Sequence, residues 1–150
     1  MRRRNVFNAK VLAYKTLFAI IAALIFTSCN PKSENKGQAE EINFEKTKVA
    51  VFYFHGKMRC PTCNELEKIT RETVGEYYSD NDDVKFYEID FSLKENQELT
   101  NKYEVAFSSL IIATKDEHID ISMETFPIVF SDKNQIKELI INEVNNYLNN

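Results

Sequence analysis

The 150-residue chain is expected to form one α/β domain, a central mixed sheet of about four strands flanked by helices in the order β-α-β-α-β-β-α. Three observations predict it. Val49-Ala50-Val51-Phe52-Tyr53-Phe54 is an unbroken apolar, β-branched and aromatic run, as in a strand buried on both faces. From Pro61 onward the pattern changes to helical spacing, with Cys63, Leu66, Thr70, Val74 and Tyr77 on one face. Strand-like and helix-like segments then alternate to the C-terminus, and such an order packs helices against a sheet.

Each element has a local reason. His55-Gly56-Lys57-Met58-Arg59 is a loop and Cys60 opens the helix, with Pro61 at the first helical position, where its missing N–H costs nothing. Gly75 weakens that helix late in its course. Ser79-Asp80-Asn81-Asp82-Asp83 is a turn, and Val84–Asp90 a second strand. Glu95–Tyr103 is a short helix with Leu99 and Tyr103 inward, and Ser109–Thr114 a third strand. Asp116-Glu117 turns into a fourth, His118–Ser122. Ser131-Asp132 is a capping signal for a last helix that buries Ile136, Leu139, Ile140, Val144 and Leu148.

The N-terminal segment has a different character. Arg2, Arg3, Arg4, Lys10 and Lys15 precede the apolar run 17–26, which ends at Thr27-Ser28-Cys29. A basic start, a short apolar core and small residues at a cut site describe a secretory signal over 1–28. The run is short of the about 20 residues a transmembrane helix needs. A cysteine directly after the cut resembles the bacterial lipoprotein signal, which implies that Cys29 carries lipid and anchors the chain in the cell envelope. The competing reading is an uncleaved anchor with an incidental cysteine.

Removing 1–28 deletes five positive charges and no negative ones, taking the net charge from −4 to −9. That acidity argues against nucleic acid as a partner. The remaining 122 residues suit one small core (48–150) behind a polar tether (29–47), in which Ile42 and Phe44 start an edge strand or dock on the core.

With Cys29 lipidated, two of three cysteines remain, in Cys60-Pro61-Thr62-Cys63. A disulfide closing so short a loop stabilises a fold weakly, so redox chemistry or metal binding is the expected use. Cys60 falls at a helix N-terminus, where unpaired N–H groups and the macrodipole favour the thiolate, the reactive form. Cys63 lies one turn in, facing the core. Lowering a thiol pKa from about 8.5 to about 7 takes about 2 kcal/mol, which a helix start and a nearby cation can supply. Arg59 and Lys57 are the candidate cations.

The dithiol after a buried strand, the element order and Tyr103-Glu104-Val105-Ala106-Phe107-Ser108-Ser109-Leu110 together resemble the thioredoxin-like superfamily over residues 45–150. The resemblance implies a thiol–disulfide oxidoreductase in which Cys60 attacks a substrate disulfide and Cys63 resolves the mixed disulfide. Arg59, Pro61 and Thr62 support the site, and Phe107, Ser108 and Ser109 line the substrate side. No separate cofactor is implied, the redox group being the Cys60–Cys63 disulfide. Partners are a substrate protein or a small thiol or disulfide, together with the membrane through Cys29.

Two positions depart from the family. Residues 49–54 hold no acid where thioredoxins carry a buried aspartate, which leaves water or a helix group such as Glu67 to take the resolving proton. Ser108 stands where a cis-proline is expected, and a trans bond is expected there because a cis bond before serine costs about 3 kcal/mol.

Two alternatives come from other classes. His55, Met58, Cys60 and Cys63 fall close enough together to suit copper or zinc. The domain is otherwise a non-catalytic partner-binding module using the groove at Phe107-Ser108-Ser109. His118 is expected at the surface.

Overall fold

The computed structural model describes residues 42–150. The expected signal at 1–28, Cys29 and the first part of the expected tether lie outside the described residues. Four strands form one mixed sheet in the order β2-β1-β3-β4: β1 (Val49–His55), β2 (Val84–Asp90), β3 (Ser109–Ala113) and β4 (His118–Asp120). β1 pairs parallel with β2 and antiparallel with β3, which pairs antiparallel with β4. Phe54 stands opposite both Ile89 and Ser109, which puts the end of β1 and the start of β3 at the same edge of the domain. A parallel neighbour requires a crossover, and α1 (Pro61–Tyr77) supplies it.

Every residue of β1 is buried, because its two faces feed two cores. Val49, Val51 and Tyr53 point to one side, with Leu66, Ile69 and Val74 of α1 and Ile136, Ile140 and Val144 of the last helix. Ala50, Phe52 and Phe54 point to the other, against Tyr87, Ile89 and Tyr103. There the rings of Phe52, Tyr87 and Tyr103 meet at centroid distances of 5.3–5.4 Å. Ile42 and Phe44 pack on this second core, so of the two expectations for them docking holds.

Thr70 and Thr73 are buried in α1 because their hydroxyls donate back to Leu66 O and Ile69 O at 2.8 and 2.7 Å. Tyr77 is 55% exposed, against expectation, and Tyr78 is buried in its place. The helix ends at Tyr77, and the cap residue, with φ of −129°, leaves the helical path. Its hydroxyl reaches Asn145 Oδ1 at 3.0 Å on the last helix.

The expected helix at 95–103 is a 3-10 turn (Lys94–Asn96) followed by α2 (Gln97–Lys102), with Tyr103 buried and Leu99 half-buried. His118 is exposed, yet its ring meets Tyr103 edge-on at 5.1 Å. β4 stops at Asp120 rather than Ser122, because Asp120 Oδ1 accepts from the Ser122 backbone N–H at 2.8 Å and bends the chain. A short helix, α3 (Ser122–Thr125), and a 3-10 turn (Phe126–Ile128) intervene before α4 (Lys133–Asn149). Asp132 caps α4 by accepting from Gln135 N at 3.0 Å. Ile136, Ile140 and Val144 are fully buried, while Leu148 packs at the margin.

Candidate active site

The dithiol sits where β1 gives way to α1. Phe91 N donates to His55 O at 2.9 Å, and Gly56 turns the chain against the Phe91 ring. A β-carbon at position 56 would meet Phe91 Cζ at 3.0 Å, so a larger residue there would require the Phe91 ring to shift. Cys60 is the N-cap residue of α1, with extended backbone (φ −79°, ψ 160°), and Pro61 occupies the first helical position. The Cys63 backbone N–H points at Cys60 Sγ at 3.0 Å, a side-chain cap made by sulfur in place of oxygen. Cys60 and Cys63 are joined as a disulfide with Cα atoms 5.0 Å apart. Cys60 is exposed, whereas Cys63 is 9% exposed on the buried face of the helix.

Directly below lies Tyr53, which strand alternation aims at α1. Its hydroxyl donates to Cys63 O at 2.7 Å. Burial pushes the Tyr53 pKa up to about 12, the positive charge of Arg59 opposing the rise, so the ring is a neutral donor in the physiological range. Among the described residues every peptide bond is trans, including the one before Ser108. Ser108 is half-buried and Phe107 is 63% exposed. Ser109 is buried opposite Phe54, its hydroxyl donating to Phe107 O at 3.0 Å.

Beside the dithiol is a charged cluster. Arg59 is bonded to Glu67 and, at 2.9 Å, to Glu88 Oε1. Arg71 bonds the same two carboxylates at 2.7 and 2.6 Å. Burial disfavours the Glu67 anion, but Arg71 and Arg59 outweigh it and hold the carboxyl below its ordinary pKa. Glu67 is thus a fully engaged carboxylate, which corrects the expectation that it takes the resolving proton. Arg59 likewise shares its charge between two acids. Lys57 and Thr62 are exposed and half-exposed, respectively.

The four residues of the metal alternative do not converge. His55 Nε2 lies 3.2 Å from Glu88 Oε1 and Nδ1 lies 3.0 Å from Gly56 O, so both ring nitrogens face oxygen atoms. Met58 is 92% exposed, and the two sulfurs are bonded to each other. Among the described residues no group of three or more His, Cys, Asp or Glu has the geometry to hold a metal ion. Sequence reasoning placed Tyr53 in the core and missed it as a site residue. Its one signal was a lone hydroxyl in an apolar strand.

No protein-family model matches the chain, and no curated protein does. Solved structures do. Human ERp44 is similar with a TM-score of 0.50 at 14% identity, covering 73% of this chain and 28% of its own. Thioredoxin from Wuchereria bancrofti is 24% identical with a TM-score of 0.42, over 59% of this chain and 76% of its own. The first two thioredoxin domains of Saccharomyces cerevisiae Eps1p are 18% identical with a TM-score of 0.44, over 71% and 39%. With a four-stranded mixed sheet, flanking helices and a disulfide at the start of the first helix after β1, the chain has a thioredoxin-like fold.

Proposed function

We propose that this chain is a thiol–disulfide oxidoreductase of the bacterial cell envelope, acting through Cys60 and Cys63. The observation that carries the proposal is the bonded pair at the exposed start of α1, outer sulfur in solvent and inner sulfur on the buried face. In the reduced protein the Cys60 thiolate attacks one sulfur of a substrate disulfide, forming a mixed disulfide and releasing the other substrate sulfur as a thiolate. Cys63 gives its proton to water and attacks Cys60 Sγ. The mixed disulfide breaks, the second substrate thiolate leaves, and two electrons have passed from the dithiol to the substrate. Run in reverse, the same steps oxidise a substrate dithiol.

The Cys63 N–H, already aimed at Cys60 Sγ, stabilises the thiolate together with the helix start. Pro61 and Thr62 shape that first turn, and Arg59 braces the loop before it. Met58 and Phe107, 92% and 63% exposed, are large apolar side chains at the surface, which favours a protein disulfide over a small one. Phe107, Ser108 and Ser109 form the substrate side. The basic start, apolar run and Cys29 support export and lipid anchoring.

The test uses purified wild type, Cys60→Ser and Cys63→Ser with a disulfide-bonded protein substrate. Loss of exchange in the first variant and a trapped mixed disulfide in the second are expected. Full exchange by both would leave a partner-binding role for the groove instead.

A further inference from the structure

Between β4 and α4 the chain carries a helical stretch that the dithiol chemistry does not use. Helical dihedrals run through α3 and the 3-10 turn to Val129, and Asp132 N donates to Ile128 O at 2.8 Å. Residues three and four apart along it therefore share a face. Ser122, Thr125 and Val129 are buried, while Met123, Pro127 and Phe130 form an apolar stripe on the opposite, exposed face. Met123 is 78% exposed and Phe130 64%. Glu124 is the one charged residue between 121 and 130.

Both ends of this stretch are tied to elements that carry the dithiol. Ser122 Oγ accepts from the Leu110 backbone N–H at 2.8 Å, and Leu110 stands opposite Tyr53, which donates to Cys63 O. At the far end Lys133 is bonded to Glu65, two residues after Cys63, and Val129 shares a core with Leu66 and Ile69 of α1. We infer that the Met123-Pro127-Phe130 stripe is a docking surface for unfolded polypeptide, selecting substrates whose disulfide lies beside exposed apolar side chains. The inference deepens the oxidoreductase reading above and rests on it for the exchange step.

The chemistry of the stripe and its place select that occupant. Cysteines and large apolar side chains are both buried in folded proteins, so a chain that presents them together at its surface is non-native. Three side chains offer well under the about 800 Å² per partner that a stable dimer buries, which argues against a second copy. For one extended segment they are enough, since a few apolar anchors carry most of the affinity of an interface. Small disulfides have no apolar flank to place on the stripe.

The test uses the reduced full chain, Met123→Ser, Phe130→Ser and the double variant. Each is mixed with ribonuclease A carrying scrambled disulfides or with oxidised glutathione. Two electrons pass from the dithiol to the substrate disulfide, and loss of the Cys60–Cys63 dithiol is read by peptide mass after acid quench and alkylation. Each single substitution is expected to lower the rate constant for scrambled ribonuclease about 5-fold, and the double variant about 25-fold. The rate constant for glutathione stays within about twofold of wild type. Binding of reduced, carboxymethylated ribonuclease, which has no thiol chemistry, weakens by the same factors as the exchange. An unchanged rate on scrambled ribonuclease, an equal loss on glutathione, or no binding of the carboxymethylated chain by wild type overturns the inference. So does a wild-type dimer, or binding to vesicles of phosphatidylethanolamine and phosphatidylglycerol, that the double variant loses. A wild type that binds the carboxymethylated chain but exchanges with neither disulfide overturns instead the oxidoreductase reading and leaves the docking surface standing.

Discussion

On one side of the first turn of α1, Tyr53 donates one neutral hydroxyl to the backbone of Cys63. On the other, Arg59, Arg71, Glu67 and Glu88 form a set of ionic contacts, with the His55 ring beside Glu88. Both regions abut the dithiol, and only Arg59 is its neighbour in sequence. Yet the charge of Arg59 is divided between two carboxylates, while the tyrosine six residues before it touches the backbone of the inner cysteine. A cation next to a cysteine in sequence activates it only if nothing else claims the charge. In this protein the ionic side braces the β1–α1 loop and the neutral side bonds the backbone of the inner cysteine to β1.

The largest expected effect falls on the ionic side. Glu67→Ala leaves Arg59, 26% exposed, with one carboxylate in place of two. A pair of this intermediate burial lies between the surface and buried cases, and the loss should be about 2 kcal/mol in urea unfolding. The constant for internal disulfide formation should move less than about threefold. A tenfold change would erase the division between the two regions.

Acid unfolding sharpens the same point. The folded pKa of Glu67 is held below its ordinary value of 4.5 because Arg71 and Arg59 outweigh burial. Its stabilisation is therefore fully present above that value and lost as pH falls through the lower, folded one. Glu67→Gln should unfold with a shallower pH dependence below 4.5 than wild type. Identical profiles would mean that the cluster is held by something other than its charges.

Arg59→Gln tests activation directly. Because two acids neutralise the guanidinium, iodoacetamide should modify Cys60 of the reduced variant within about threefold of the wild-type rate at pH 7. A tenfold fall would return Arg59 to the role of thiolate partner. The smallest effect lies outside both regions. Glu104, exposed after α2, has φ of 53°, a left-handed conformation that suits glycine. Glu104→Gly should raise unfolding stability by about 0.5 kcal/mol, relief of strain exceeding the entropy cost of glycine. With disulfide formation unaltered, it provides the case in which stability and redox behaviour separate.

Much of this was legible from residues because it depends on near neighbours. An apolar run at 49–54 has one economical use, as a strand covered on both faces, and Pro61 after Cys60 can begin a helix but not continue one. Those two local rules put the dithiol at a strand-to-helix junction without reference to the remainder of the chain. The bounds of β2 and the cap at Asp132 follow from equally local patterns.

The contacts that give each of those residues its work are long-range and leave no periodic trace. Tyr53 looks like any other ring in its strand until α1 folds over it. Arg59 looks like a free cation until Glu88 arrives from a strand 29 residues later. Tyr77 and Tyr78 are equivalent by composition, and only the end of the helix and the approach of Asn145 choose between them. Chain chemistry alone thus decided where the sulfurs stand. The packing of distant elements decided which groups hold them there, since a hydrogen bond or ion pair depends on separation in space and not along the chain.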